Sequence, residues 1–253
     1  MTDTSIIFGR IPVRETLERD AARLEKVMLQ KGAGGREIAE IRRIASEAGI
    51  QVQYVPAVRL TQLAGGGNHQ GVAAVSAPLP YADLTEMLGN IAATRDEVIA
   101  NRPRVLILDG IQDPYNFGAI LRSAVASGTK GVIVPERNMA PLNAAAFKAS
   151  AGTAGRISIA RVTNVADTIY ELKERGYWIA GADSEGETSI WEMDWDRPLV
   201  LVIGSEGEGI RRRVLEACDY RIRIPMKGPA ESLNASVAAG IILFAATQMV
   251  EPR

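Results

Sequence analysis

Arg122 is the residue of this chain that packing alone explains least well. It stands beside Ile120, Leu121, Ala124 and Val125 in a stretch with helical character. A guanidinium in apolar company needs an anionic partner, and its planar fork suits phosphate or carboxylate. Both ligand binding and a structural ion pair satisfy that need. Just upstream, the apolar run Val105-Leu106-Ile107-Leu108 ends in Asp109 and opens into Gly110-Ile111-Gln112-Asp113-Pro114-Tyr115-Asn116-Phe117-Gly118. Asp113 and Asn116 suit helix caps there.

Two further stretches deliver small and polar residues from strand ends. Val200-Leu201-Val202-Ile203 breaks at Gly204-Ser205-Glu206-Gly207-Glu208-Gly209, and a strand from Tyr220 stops near Pro225, followed by Met226 and later Ser232-Leu233-Asn234. A glycine turn between strand and helix is where a dinucleotide pyrophosphate would sit. The spacing here is G-x-x-G-x-G, not G-x-G-x-x-G, and two glutamates put negative charge where that phosphate would lie. Gly32-Ala33-Gly34-Gly35 lacks the surrounding parallel-strand pattern, and no Walker A sequence is present.

Other chemistries are thinly served. Ser232 has no histidine near it in sequence, which disfavours a serine-hydrolase triad. The only histidine, His69, reads as a loop hydrogen-bonder, and the only cysteine, Cys218, as core. One cysteine and one histidine exclude an intramolecular disulfide and disfavour a structural zinc site. Trp178, Trp191 and Trp195 read as packing residues.

These candidates must be held by an α/β scaffold. From Val105 onward, near-continuous apolar strands alternate with helices. The strands are expected at Val105–Asp109, Gly131–Pro135, Ile157–Val162, Tyr177–Ala182, Leu199–Gly204 and Tyr220–Pro225. Helices are expected at Phe117–Ser127, Pro141–Ser150, Val165–Arg175 and Ile210–Ala217, with an apolar helix from near Asn234. That alternation indicates a mostly parallel sheet covered on both faces, whose ligands bind outside the carboxyl ends of the strands. Residues 1–77 form a smaller α/β unit. It has a helix after Pro12, a strand at Val27-Met28-Leu29, a helix Glu37–Ala48, a strand Ile50–Val55 and a strand Gly71–Ser76. Residues 78–103, with Pro78, Pro80 and Pro103 around a helical pattern Leu84–Ala93, read as a linker, leaving 104–253 as the second domain.

At 253 residues with 47% hydrophobic and 23% charged side chains, the composition is that of an ordinary globular chain. The net charge of −1 predicts no nucleic-acid partner in bulk and leaves room for a local basic patch. Arg10, Arg14, Arg19 and Arg23 give a hint of a basic face, equally readable as a solvated helix side. Met1-Thr2-Asp3-Thr4 does not resemble a signal peptide, and the apolar stretch Val237–Val250 is shorter than the ~20 residues that span a bilayer. The expectation is a cytoplasmic protein with no membrane partner.

Taken together, three blocks resemble the SpoU/TrmH family of the SPOUT superfamily, RNA ribose 2′-O-methyltransferases. They are Asp109-x-x-x-Asp113-Pro114-x-Asn116-x-Gly118-x-x-x-Arg122-Ser123-Ala124, then Gly204-Ser205-Glu206-Gly207-x-Gly209, then Ile224-Pro225-Met226 with Ser232-Leu233-Asn234-x-Ser236-x-Ala238. The likeness covers roughly residues 104–250. Phe8-Gly9-Arg10 and His69-Gln70-Gly71 make residues 1–77 similar to the L30e-like substrate-binding domain of these enzymes. The arrangement is closest to the 23S rRNA (guanosine-2′-O)-methyltransferases of the RlmB type.

The resemblance implies a trefoil-knotted α/β domain, a homodimer, and S-adenosylmethionine held at Gly204, Ile224 and Leu233. It implies RNA as the partner, rRNA ahead of tRNA, and no metal; a non-catalytic RNA-binding ribosome-assembly factor on the same fold is the alternative to an enzyme. It makes Arg122 the catalytic arginine, with Asn116, Glu206, Ser232 and Asn234 completing the constellation. The two glutamates then fit a cofactor that carries a positive sulfonium and no phosphate.

Overall fold

The computed structural model describes residues 5–21, 24–76, 81–229 and 232–247. The expected boundary at Ala77 and the end of the apolar stretch, Gln248 to Val250, lie outside them. The chain divides into two compact units, Met1–Pro80 with Leu142–Gly152, and Tyr81–Pro141 with Thr153–Arg253.

The first unit runs β1 (Ser5–Phe8), α1 (Arg10–Asp20), β2 (Leu24–Gln30), α2 (Arg36–Glu47), β3 (Gln51–Val55), α3 (Ala57–Leu63) and β4 (Val72–Ser76). Among the described residues its sheet has the order β1-β4-β2-β3. β4 is antiparallel to both neighbours, while β2 and β3 are parallel. β4 is buried along its whole length, which suits a central strand of small and β-branched residues, Val72-Ala73-Ala74-Val75-Ser76. Ile38, Ile41 and Ala45 form the buried stripe of α2 at helical spacing.

The second unit opens with α4 (Leu84–Ile91) and α5 (Arg95–Asn101), both inside the stretch read from sequence as a linker. Met87, Leu88 and Val98 from these helices join the same apolar core as Val105, Ile107, Ile133 and Val202. Asp83 and Thr94 cap the two helices through their side chains.

The unit continues through β5 (Arg104–Asp109), α6 (Pro114–Ala126), β6 (Gly131–Pro135) and α7 (Ala144–Ala149), the last belonging with the first unit. A 3-10 turn (Thr153–Arg156) precedes β7 (Ser158–Val162), α8 (Val165–Glu174), β8 (Trp178–Ala182) and β9 (Thr188–Ser189). β10 (Leu199–Gly204), α9 (Arg212–Glu216), β11 (Tyr220–Arg223) and α10 (Ala235–Ala245) complete it. Among the described residues the strand order is β7-β6-β5-β10-β8-β11-β9, and every pairing is parallel. The expected parallel sheet is present.

The order decides where chemistry can happen. β5 and β10 are neighbours in register, with Gly204 opposite Asp109, so both strands end at one level. After β11 the chain returns from that side of the sheet to lay α10 against α6 and β10. The loops after β5, β10 and β11 therefore open on the same side of the sheet.

Several expected boundaries shift for local reasons. α6 begins at Pro114 rather than Phe117 because the Asp113 carboxylate accepts the Tyr115 N–H at 3.0 Å, with proline in the first turn where no donor is lost. α7 starts after Asn143, whose side chain accepts from Ala145 and Ala146 N–H. β11 ends at Arg223, two residues before Pro225. Trp195 is buried, but Trp191 is 62% exposed and Trp178 45%, so packing does not account for all three tryptophans. Trp178 instead stacks near Tyr220, with the Arg197 guanidinium over both rings. Cys218 donates its S–H to the Val214 carbonyl, and burial pushes its thiol up to about 12. Among the described residues no helix is long and apolar enough to cross a membrane, and no group of three or more His, Cys, Asp or Glu could hold a metal ion.

Candidate active site

Asn116, Glu206 and Asn234 come from three separate blocks of sequence and meet at the carboxyl ends of the strands. Asn116 lies in the first turn of α6, which its Asp113 cap and Pro114 fix in place. Asn234 is the N-cap of α10. Its Oδ1 accepts the N–H of Ser236 at 2.9 Å and of Val237 at 3.3 Å, and the Ser236 hydroxyl at 2.6 Å. With the oxygen so occupied, the Nδ2 of Asn234 is free to donate outward. It donates to Asn116 Oδ1 at 3.1 Å and to Glu206 Oε1 at 3.4 Å. Asn116 Nδ2 donates to the same Glu206 oxygen. Two amides thus converge on one carboxylate.

Glu206 reaches that position from a tight turn. Ser205 N–H donates to Gly209 O at 2.9 Å and Gly209 N–H to Ser205 O at 3.1 Å, which closes a small hairpin. Gly209 sits at φ +66°, a left-handed conformation that favours glycine. Gly204 is required for a different reason. A Cβ there would stand 2.1 Å from the Gly209 carbonyl carbon, so the hairpin folds back onto a position with no room for a side chain.

A cavity of about 230 Å³ lies against this hairpin. Its apolar wall includes Ile203, Ile222, Ile224, Leu233 and Ile242, and Gly204 and Ser232 also line it. Among the described lining residues there is no lysine or arginine, and the acids are Asp183 and Glu206. Asp183 is already engaged by the Arg221 guanidinium, at 2.5 and 3.0 Å. Among the described residues, the groups that hold Glu206 are the neutral amides of Asn116 and Asn234, and no cation pairs with it. Such a lining repels phosphate and suits an apolar, flat ring system carrying a positive charge. The residues present therefore fit a cationic nucleoside without phosphates.

A second, more polar cavity also borders the hairpin, lined by Gly110, Ile111, Gln112, Ser205, Glu206, Gly207 and Glu208. The tip of the hairpin, including Glu206, is a wall shared by both.

The structure gathers most, but not all, of the residues singled out from sequence. Ile224, Leu233, Gly204, Ser232 and Glu206 line the first cavity, and Asn116 and Asn234 hold Glu206. Arg122 stands apart. It is exposed, and among the described residues no hydrogen bond or ion pair holds its side chain. The apolar neighbours that suggested a buried or cleft position, Ile120, Leu121 and Ala124, are the buried side of α6. Six residues of helix place Arg122 about 120° around the axis from Asn116. Sequence reading missed Asp183 and Ser184, which line the cavity from the end of β8. Their only signal is position, as polar residues just past an apolar strand.

Comparison with known proteins adds the following. Residues 103–244 match the model of the SpoU rRNA Methylase family, and residues 6–82 match that for RNA 2'-O ribose methyltransferase substrate binding. A chain of Staphylococcus haemolyticus assigned to the TrmH family of tRNA/rRNA methyltransferases is 44% identical over 239 residues, 94% of this chain and 93% of that one. The AdoMet-bound rRNA methyltransferase of Sinorhizobium meliloti superposes with a TM-score of 0.81 at 23% identity, over 99% of this chain and 89% of that chain. The SpoU methyltransferase AviRb of Streptomyces viridochromogenes gives 0.80 at 23%, over 98% and 90%. The fold is thus the SpoU/SPOUT one, the α/β-knot class expected from the three sequence blocks.

Proposed function

The chain belongs to the SpoU rRNA methylase family, and on that basis we propose that it transfers a methyl group from S-adenosylmethionine to the 2′-oxygen of a ribose in rRNA, with a guanosine of 23S rRNA as target. The observation that carries this reading is the meeting of Asn116, Glu206 and Asn234 beside a cavity whose described lining residues include no lysine or arginine. The cofactor, when bound, supplies a methyl already activated on a positively charged sulfur.

The chain's own residues do the rest. Backbone groups at Gly204, Ile224 and Leu233, with the isoleucines of the cavity wall, hold the adenosyl and amino-acid portions. Glu206 sets a fixed negative charge where the cofactor is positive, and the amides of Asn116 and Asn234 keep that carboxylate from turning away. Arg122, exposed and without a partner among the described residues, is available for the RNA: it engages a phosphate and stabilises the 2′-oxygen as its proton leaves. A guanidinium with a pKa above about 12 is a poor base, so its role is orientation and charge stabilisation. Ser232 and Asn234 border the position of the acceptor ribose.

Residues 1–77 serve as the substrate-binding module and residues 104–253 as the catalytic domain; residues 78–103 connect them in sequence, with α4 and α5 packed into the core of the second unit. The match of residues 6–82 to a substrate-binding model supports that division. The protein acts in the cytoplasm as a homodimer. Val237, Ile241 and Phe244 fall on one side of α10 at helical spacing, with Val237 and Phe244 each 49% exposed, and such an apolar stripe is suited to burial against a second copy. The test of substrate is transfer from labelled S-adenosylmethionine into unmodified rRNA and unmodified tRNA offered in parallel. Label is expected in rRNA alone. Label in tRNA alone overturns the choice of substrate, and label in neither overturns the enzymatic reading.

A further inference from the structure

The hairpin that carries Glu206 is closed at its base, but closure alone does not say where it points. At its near end, Gly204 is fixed by the ladder to β5, opposite Asp109. At its far end, Arg211 N–H donates to Asp109 Oδ2 at 2.9 Å. The Arg211 guanidinium reaches the same carboxylate, with Nε and Nη2 donating to Oδ1 at 2.9 and 2.5 Å. Both ends of the hairpin are therefore fastened to a single residue. The Asp109 carboxylate is fully buried, while the Arg211 side chain is 52% exposed. A buried carboxylate with three donors on it is held in one geometry. Arg211 is the N-cap of α9, and the Asp109 carboxylate takes its N–H, which no helical carbonyl could accept.

Resting on the methyltransferase reading above, we propose that Asp109 is a positioning residue of the site. Acting through Arg211, it sets the angle at which the Gly204–Gly209 hairpin leaves the sheet, and hence where Glu206 stands relative to Asn116, Asn234 and the cofactor cavity. Asp109 is not itself among the described residues that line the cavity or form the three-residue cluster; its effect passes through the hairpin. The two arms are separable. The backbone donor at position 211 survives any side-chain change there, and the guanidinium arm does not. Arg211→Lys keeps one donor and loses the fork. Asp109→Asn keeps the shape but turns an amide NH2 towards one of the two donor sets.

The experiment compares wild type, Arg211→Lys, Arg211→Ala and Asp109→Asn. It reads the affinity for S-adenosylhomocysteine by calorimetry, the transfer rate per cofactor-binding site on unmodified rRNA, and the melting temperature. Arg211→Ala is expected to weaken cofactor affinity about tenfold and to lower the per-site rate by up to about a hundredfold, the scale of a ~1 Å misplacement. Arg211→Lys should fall between it and wild type. If Asp109→Asn does not fold, the Arg211 pair still decides, because that side chain is half exposed and leaves no large cavity. Affinity and per-site rate of Arg211→Ala both within twofold of wild type, whatever the melting temperature does, overturn the proposal. A wild-type protein that binds S-adenosylhomocysteine but labels no RNA overturns the enzymatic reading, and the affinity comparison still tests the clamp.

Discussion

Asn234 donates its side-chain N–H to Asn116 Oδ1 at 3.1 Å, joining the cap of α10 to the first turn of α6 across 118 residues of sequence. The same Asn234 side chain does two jobs with two atoms. Its oxygen caps the helix, and its nitrogen helps to hold Glu206. The two jobs can be separated. Asn234→Asp keeps the capping oxygen and removes the donor, placing a second carboxylate beside Glu206. Its stability should stay within about 1 kcal/mol of wild type, since Asp and Asn cap about equally well, while methyl transfer drops by roughly tenfold to a hundredfold. Asn234→Ala should lose both, with about 1–2 kcal/mol of stability gone as well. Urea melts and initial rates measured side by side check this; equal transfer by Asn234→Asp and wild type would remove the donor from the account.

Gly204→Ala should disable the cofactor cavity. Its Cβ would sit 2.1 Å from the Gly209 carbonyl carbon and 2.2 Å from the Ile210 nitrogen, so the hairpin must open. Overpacking of this kind costs about 1–3 kcal/mol, and affinity for S-adenosylhomocysteine should fall by more than about tenfold. Near-normal affinity by calorimetry would mean that the cavity does not depend on the tight hairpin.

Arg122→Ala should be silent in folding and in cofactor binding. The side chain is exposed and no described residue pairs with it. A melting temperature within a degree or two of wild type, unchanged S-adenosylhomocysteine affinity and a loss of transfer of about a hundredfold or more are expected. Normal turnover would take Arg122 out of the mechanism.

Stability should fall in mild base. Burial raises the Cys218 thiol from 9.0 to about 12 and the Tyr177 hydroxyl from 10.0 to about 12. Both groups hold their proton more tightly when folded, so their stabilisation is complete below pH 9 and is lost progressively from there towards 12. Urea midpoints should be flat from pH 7 to 8.5 and decline above 9, and Cys218→Ala should lessen the decline between 9 and 10. Alkylation of Cys218 in the native protein at pH 8 should be slow. Fast alkylation, or a midpoint flat through pH 10, would show the thiol to be open to solvent.

The scaffold was legible because parallel strands buried on both faces leave unbroken apolar runs, as in Val105–Leu108 and Val200–Ile203. The glycine turn was legible because its spacing and its two glutamates argue against phosphate. What sequence hides is partnership across distance. Nothing local marks Asp109 as the clamp of Arg211, since the pairing exists only once β5 and β10 lie side by side. Arg122 misled for the opposite reason. Apolar neighbours in sequence became the inner side of a helix, and 100° per residue turned the arginine outward. The acceptor that the Arg211 N–H finds at the start of α9 is likewise a distant residue, Asp109, which helical pattern cannot register.

The most direct test of the account is the chemical position of the transferred methyl. The purified chain, labelled S-adenosylmethionine and unmodified 23S rRNA are incubated, and the RNA is then hydrolysed in alkali. A methyl on the ribose 2′-oxygen blocks the attack that cleaves the adjoining phosphodiester, so the label should emerge in an alkali-stable dinucleotide whose 5′ residue is guanosine. Label released in mononucleotides would place the methyl on a base and contradict the proposed reaction.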